Sequence, residues 1–252
     1  MTYSIGIDSG STATKGILLA DGVITRRFLV PTPFRPATAI TEAWETLREG
    51  LETTPFLTLT GYGRQLVDFA DKQVTEISCH GLGARFLAPA TRAVIDIGGQ
   101  DSKVIRLNED GSVKNFVMND KCAAGTGRFL EMMAKTMEMS LDELSQVGLS
   151  YQEDITISSM CTVFAESEVV SLIAQNKHTD DIVHGLNKAV AAKTASLVKR
   201  VGGEEAYMMT GGVAQNKGLV KTLEERLGTS LVISPKSQLC GALGAALFAA
   251  DM

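Results

Sequence analysis

Apolar positions in this chain fall into short strand-like runs and longer faces with helical spacing, and one strand pattern occurs twice. Ile5-Gly6-Ile7 leads into Asp8-Ser9-Gly10, and Val94-Ile95 leads into Asp96-Ile97-Gly98-Gly99. In each copy a lysine, Lys15 or Lys103, follows the aspartate by seven residues, and an Asp-Gly pair, Asp21-Gly22 or Asp110-Gly111, comes later. Each copy predicts an apolar strand, D-x-G-x-x-x-x-K, a second strand, an Asp-Gly hairpin and a third strand. Between and beyond the copies the spacing turns helical. Ala39, Ile40, Ala43, Trp44, Leu47 and Leu51 share a face ahead of a short strand at Phe56 to Thr60. Helices are predicted from Arg128 to Met139, from a capping box at Ser140 to Glu143, from Thr162 to Gln175, from Asp180 to about Val201, and from Cys240 to Ala250. Alternating strands and helices indicate α/β layers.

The repeated pattern has a chemistry. Gly10 and Gly98 allow turns closed to other residues and bring backbone N–H groups close to phosphate oxygens. Ser11, Thr12 and Gly99 sit in the same two turns. The carboxylates of Asp8 and Asp96 repel phosphate, so their expected role is to hold Mg²⁺ through its retained waters. Lys15 adds a point charge near the terminal phosphates. Gln100, just after Gly98-Gly99, is the candidate for positioning an attacking water. A third element, the apolar run Ala206 to Thr210, leads into Gly211-Gly212-Val213-Ala214-Gln215-Asn216. Two glycines between a strand and a helix let a flat adenine and ribose approach the backbone, with Gln215 beside them. Neither G-x-x-x-x-G-K-[ST] nor G-x-G-x-x-G occurs, so P-loop and dinucleotide readings lose support.

In this order the three motifs resemble the actin, heat-shock chaperone and sugar kinase ATPase superfamily. That resemblance implies a duplicated α/β fold with two domains around a nucleotide cleft. The expected division is residues 1–92 plus about 236–252 for one, with the last helix packing back, and 93–235 for the other. A chain of 252 residues, 44% hydrophobic, can bury two modest cores. Its net charge of −5 gives no general attraction to nucleic acid or anionic membrane. The N-terminus lacks a basic region, and no uninterrupted apolar stretch reaches the length of a membrane span, so a cytoplasmic protein is expected.

Four cysteines in such a chain argue against a disulfide framework. Cys79, Cys122, Cys161 and Cys240 contain no C-x-x-C pair, and all four precede helix-like stretches, so helix position does not select among them. The three histidines show no metal spacing, and His178 and His184 read as solvent-facing helix residues.

The segments Asn119 to Phe129 and Ser159 to Glu168 closely resemble the activator component of 2-hydroxyacyl-CoA dehydratases, a family that includes the ATPase subunits of benzoyl-CoA reductases. Glu76 to His80, Asp96 to Asp101 and Met209 to Asn216 fit the same family. The resemblance implies an ATP-hydrolysing homodimer with one [4Fe-4S] cluster between the subunits, held by two cysteines from each. By motif position these are Cys122 and Cys161, which leaves Cys79 and Cys240 structural. It also implies ATP and Mg²⁺ as cofactors, a dehydratase or reductase as electron acceptor, and a flavodoxin or ferredoxin-like donor. Two alternatives share the fold: a small-molecule kinase of the sugar type, and a nucleotide-dependent scaffold without a cluster.

Overall fold

The computed structural model describes all residues except 159–160, 203–205 and 252. Ser159 and Met160 of the second cysteine motif therefore lie outside the described residues. The chain opens with the antiparallel strands β1 (Tyr3–Ser9), β2 (Ala13–Ala20) and β3 (Val23–Pro31). Asp21 and Gly22 both have positive φ, 48° and 78°, which makes the two-residue turn whose twist matches the strands. Helix α1 (Pro36–Arg48) follows, with proline in its first turn, and Leu51 lies beyond its end. Strand β4 (Phe56–Thr60) then pairs parallel to β1, and β5 (Lys72–Gln73) completes a sheet of order β3-β2-β1-β4-β5.

Helix α2 (Glu76–Leu87) leads to a second sheet that repeats the first: β6 (Ala93–Ile97), β7 (Ser102–Leu107) and β8 (Val113–Asn119). The second Asp-Gly pair sits in a longer loop, with Gly111 alone at positive φ. Helices α3 (Gly127–Thr136), α4 (Leu141–Val147), α5 (Thr162–Ala174) and α6 (Thr179–Val201) precede β9 (Tyr207–Thr210), which runs parallel to β6. Helix α7 (Lys217–Leu227), β10 (Val232–Ile233) and α8 (Cys240–Ala250) close the chain, and the second sheet has order β10-β9-β6-β7-β8. The capping box expected at Ser140 is present. Helix α3 stops at Thr136, three residues before the expected Met139, because Glu138 turns the backbone to φ 54°.

Alternation along the central strands sorts the layers. Ile5 and Ile7 of β1 pack with Leu57 and Leu59 against Ile40 and Leu47 of α1, while Gly6 turns the other way, onto α8. A Cβ on Gly6 would run into the backbone of Ala242 and Ala246, so only glycine lets α8 lie on the sheet. Helix α2 covers the corresponding face of the second sheet, with Ile77 and Ala84 against Val94, Ile105 and Met208. Helices α2 and α8 then cross backbone to backbone: Gly83 meets the Cys240 carbonyl and Gly244 meets the Cys79 carbonyl. The outer face of the second sheet carries the largest core, where Ile95, Ile97 and Val104 meet Phe129, Met133, Val183, Leu186 and Leu219. Each such buried side chain contributes about 1.5–3 kcal/mol.

One reading of the sequence is corrected here. His178 is exposed at the start of α6, but His184 is buried, its ring stacked on Tyr151 at 3.5 Å. Burial lowers the His184 pKa from its ordinary value. The helical period places residue 184 on the face that α6 turns inward, a face polar enough in sequence to look like surface.

Candidate functional site

A cleft of about 670 Å³ opens where β1, β6 and β9 end. Pairing register explains the repeated spacing that leads into it. Asp8 stands directly across from Lys15 on β2, and Asp96 directly across from Lys103 on β7. The seven-residue interval is therefore the length of a tight turn plus one cross-strand step. Both turns close the same way, with Gly10 N–H donating to Ala13 O at 3.2 Å and Gly98 N–H to Asp101 O at 2.9 Å.

All the residues expected to hold nucleotide line this one cleft. Asp8, Gly10, Ser11, Thr12 and Lys15 come from the first hairpin, Asp96, Gly98, Gly99 and Gln100 from the second, and Gly211, Gly212 and Gln215 from the third motif. The two hairpin turns touch, since a Cβ on Gly99 would collide with the Thr12 hydroxyl. Gly211 has φ 84°, and a Cβ there would strike the Ile97 carbonyl, so the strand can bend into the cleft only at glycine. Residues from α3 and α4, including Leu130, Leu141 and Ser145, form another part of the cleft wall. Gln215 Nε2 donates to Gln238 Oε1 at 2.9 Å at this end.

Around Asp96 the cleft is densely charged. Lys103 Nζ lies 2.8 Å from Asp96 Oδ2, 2.5 Å from Asp101 Oδ2 and 3.6 Å from Glu76 Oε2. The Thr210 hydroxyl donates to Asp96 Oδ1 at 2.7 Å, and His80 Nδ1 lies 3.3 Å from the same oxygen. Burial alone would raise the Asp96 carboxyl, but His80 and Lys103 beside it hold it well below the usual carboxylate range. Burial opposes the Lys103 charge, and Asp96, Glu76 and Asp101 together hold its ammonium well above the usual range. For Glu76 burial wins over Lys103, and its pKa is raised. On the first hairpin, Lys15 Nζ lies 3.2 Å from Asp8 Oδ2.

Sequence reasoning missed four members of this cluster: Glu76, His80, Asp101 and Thr210. A faint signal existed for two of them, because Glu76 and His80 are four residues apart and share a face of α2. His80 Nε2 and Asp8 Oδ2 converge on the space left by the missing side chain of Gly241. The imidazole therefore reaches from Asp96 of one hairpin toward Asp8 of the other.

The cysteines divide by burial. Cys79 and Cys240 are fully buried at the crossing of α2 and α8. Burial, partly offset by the neighbouring Thr60 side chain, pushes the Cys79 thiol up to about 12, and burial raises Cys240 well above its ordinary value. Cys122 and Cys161 are exposed and lie outside the cleft lining. Cys122 is in the turn between β8 and α3, and Cys161 is the N-cap of α5. The start of α3 is tied to the cleft: Gly127 N–H donates to Gly98 O at 2.8 Å and Arg128 N–H to Gly99 O at 2.7 Å. Among the described residues, no group of three or more His, Cys, Asp or Glu side chains within one chain is placed to hold a metal ion. No described helix is long and apolar enough to cross a membrane.

Comparison with known proteins adds the family. A model described as the BadF/BadG/BcrA/BcrD ATPase family matches residues 5–249. The (R)-2-hydroxyglutaryl-CoA dehydratase activating ATPase of Acidaminococcus fermentans is 48% identical, over 98% of this chain and 96% of that one. An uncharacterised protein of Escherichia coli, YjiL, is 64% identical over 98% of this chain and 96% of its own length. The solved activator of the 2-hydroxyisocaproyl-CoA dehydratase from Clostridium difficile, with bound ADPNP, superposes with a TM-score of 0.93 at 44% identity, covering 99% of this chain and 95% of that one. The duplicated ATPase fold expected from the repeated hairpins is the one present, and sugar kinases share it.

Proposed function

Because the chain belongs to the BadF/BadG/BcrA/BcrD ATPase family, we propose that it is a cytoplasmic, ATP-hydrolysing reductive activator, passing one electron to a 2-hydroxyacyl-CoA dehydratase or related reductase. The electron comes from a flavodoxin or ferredoxin-like donor. Residues 1–92 with about 236–252 form one ATPase domain and 93–235 the other. Asp8 and Asp96 hold Mg²⁺ through its waters, and Lys15 faces the phosphates between the Gly10–Thr12 and Gly98–Gly99 turns. Gly211, Gly212 and Gln215 receive the adenosine, and Gln100 orients the attacking water.

A [4Fe-4S] cluster shared by two copies of the chain supplies one-electron storage, with Cys122 and Cys161 of each copy as ligands. The exposed thiols suit that role. Cys161 caps the start of α5, where the helix dipole favours an anionic thiolate and a thiolate-ligated cluster. Beside it Val163 and Phe164 are 62% and 67% exposed, an apolar surface that a second copy would cover. The buried thiols of Cys79 and Cys240 resist the ionisation that ligation requires.

The observation that carries the reading is the hydrogen bonding of α3 to the Gly98–Gly99 turn. The loop bearing Cys122 runs directly into that helix start. At the other end of α3 the Thr136 hydroxyl donates to Glu166 Oε1 at 3.1 Å, one turn beyond Cys161. A change at the phosphate turn is thus passed along α3 to both cysteine segments.

The test is iron content with subunit mass under anaerobic native conditions. Wild type should hold about four irons per dimer, the number a cubane requires. Cys122→Ser and Cys161→Ser should lose that iron, while Cys79→Ser and Cys240→Ser keep it. A monomer with its own four irons, or loss only on changing Cys79 or Cys240, overturns the shared site. Colourless protein that phosphorylates a sugar favours the kinase alternative.

A further inference from the structure

The cleft has a charge problem that its two lysines do not solve. Seven carboxylates and only three Lys or Arg side chains line it. Lys103 is enclosed by Asp96, Asp101 and Glu76, and its side chain is 2% exposed. The charge of Lys15 is shared with Asp8. The remaining cation is Arg64, which has no carboxylate ion pair among the described residues. Its Nη1 donates to the Gly61 carbonyl at 3.1 Å, which engages one of the five N–H donors of a guanidinium.

The chain brings Arg64 there by a closely fitted turn. Gly63 N–H donates to Ser9 O at 2.9 Å, and Leu66 N–H to Gly63 O at 3.0 Å. Gly61 has φ 83°, and a Cβ on it would strike Asp8 Oδ1, while a Cβ on Gly63 would strike the Ser9 hydroxyl. Two glycines therefore press this turn against the aspartate end of β1, and Arg64 is half-buried in the cleft wall beside it.

We propose that Arg64 is a catalytic residue that faces the terminal phosphate of the nucleotide and stabilises the charge developing on it in the transition state, as the phosphoryl group is transferred to water. In that step the water oxygen bonds to the γ-phosphorus, the bond to the ADP oxygen breaks, and the water's proton leaves to solvent. The negative charge on the non-bridging oxygens needs a cation not already neutralised by carboxylates, and the planar guanidinium fork matches phosphate geometry. The assignment rests on the reading of this cleft as the ATP site.

Steady-state hydrolysis by the anaerobic dimer tests it, together with trapping of ADP by vanadate. Arg64→Ala should lower kcat by about 10²–10³-fold, as loss of a charge-stabilising donor does, and should abolish vanadate trapping. Its KM for ATP should stay within about threefold of wild type, because the loss falls on the transition state. Arg64→Lys should recover about tenfold over Arg64→Ala by restoring charge without the fork. Hydrolysis by Arg64→Ala within about fivefold of wild type overturns the proposal, as does equal loss of ADP and ATP affinity, which marks a purely structural turn. A wild type that does not hydrolyse ATP overturns the nucleotide reading itself.

Discussion

The two hairpins carry the same spacing of aspartate, glycine and lysine, yet the structure gives their lysines different work. Lys15 meets Asp8 at 3.2 Å with 16% of its side chain exposed. Lys103 is closed off from solvent and shared among three carboxylates, one of them on α2. Asp96 differs from Asp8 in the same sense, because Thr210, His80 and Lys103 fix both of its oxygens. The first pair stands open to the cleft. The second is a fixed post, and helix α2 is anchored to it through Glu76 and His80. A duplicated motif thus sets where a carboxylate and an ammonium stand, while the elements packed around each copy decide how freely they move.

The largest effect should come from removing the buried cation. Lys103→Met leaves Asp96, Asp101 and Glu76 facing one another, and stability should fall by about 3–5 kcal/mol. Lys15→Met, at a pair that lines the open cleft, should cost less, about 1–2 kcal/mol. Urea unfolding of both variants reads this directly, and equal losses would erase the contrast.

Next come the carboxylates themselves. On the proposed function, in which each holds the metal that neutralises phosphate charge, Asp8→Ala and Asp96→Ala should each reduce Mg²⁺-dependent ATP turnover about a hundredfold or more while the protein stays folded. Near-normal turnover in both would end the shared-cleft model. Loss in only one would show that the fixed and the adjustable aspartate are not equivalent.

The smallest effect is the acid limb of stability. The folded pKa of Asp96 lies below its unfolded value of about 3.9, so its stabilising contribution is complete above that pH and declines as pH falls toward the folded value. Urea midpoints should drop as pH falls below about 4, and Asp96→Asn should show a shallower drop. Parallel profiles for the two proteins would assign the acid loss to other groups.

How much of this could be read from the chain follows from the range of the interactions. The strand Phe56 to Thr60, the capping box at Ser140 and the last helix, Cys240 to Ala250, are set by local periodicity and turn chemistry, and they appear where the sequence puts them. The three glycine motifs were legible as close-approach turns lining one cleft because close backbone approach demands glycine wherever it occurs. The Asp96 cluster was not legible: His80 and Thr210 stand 130 positions apart in sequence and meet only when α2 is laid across the second sheet. The burial of His184 failed for a similar reason, since its cover, Tyr151, comes from a segment before α5 and the sequence does not show how that segment folds back.

The crossing of α2 over α8 has a mechanical consequence. Gly83 and Gly244 put main chain directly against main chain between a helix seated on one sheet and a helix seated on the other. A contact of this kind leaves no room for even a methyl group at either glycine, so the spacing between the two layers is set by the main chain itself. The rim repeats the device, since Gly99 leaves room for the Thr12 hydroxyl, so glycine sets how closely the two halves stand at both the base and the mouth of the cleft.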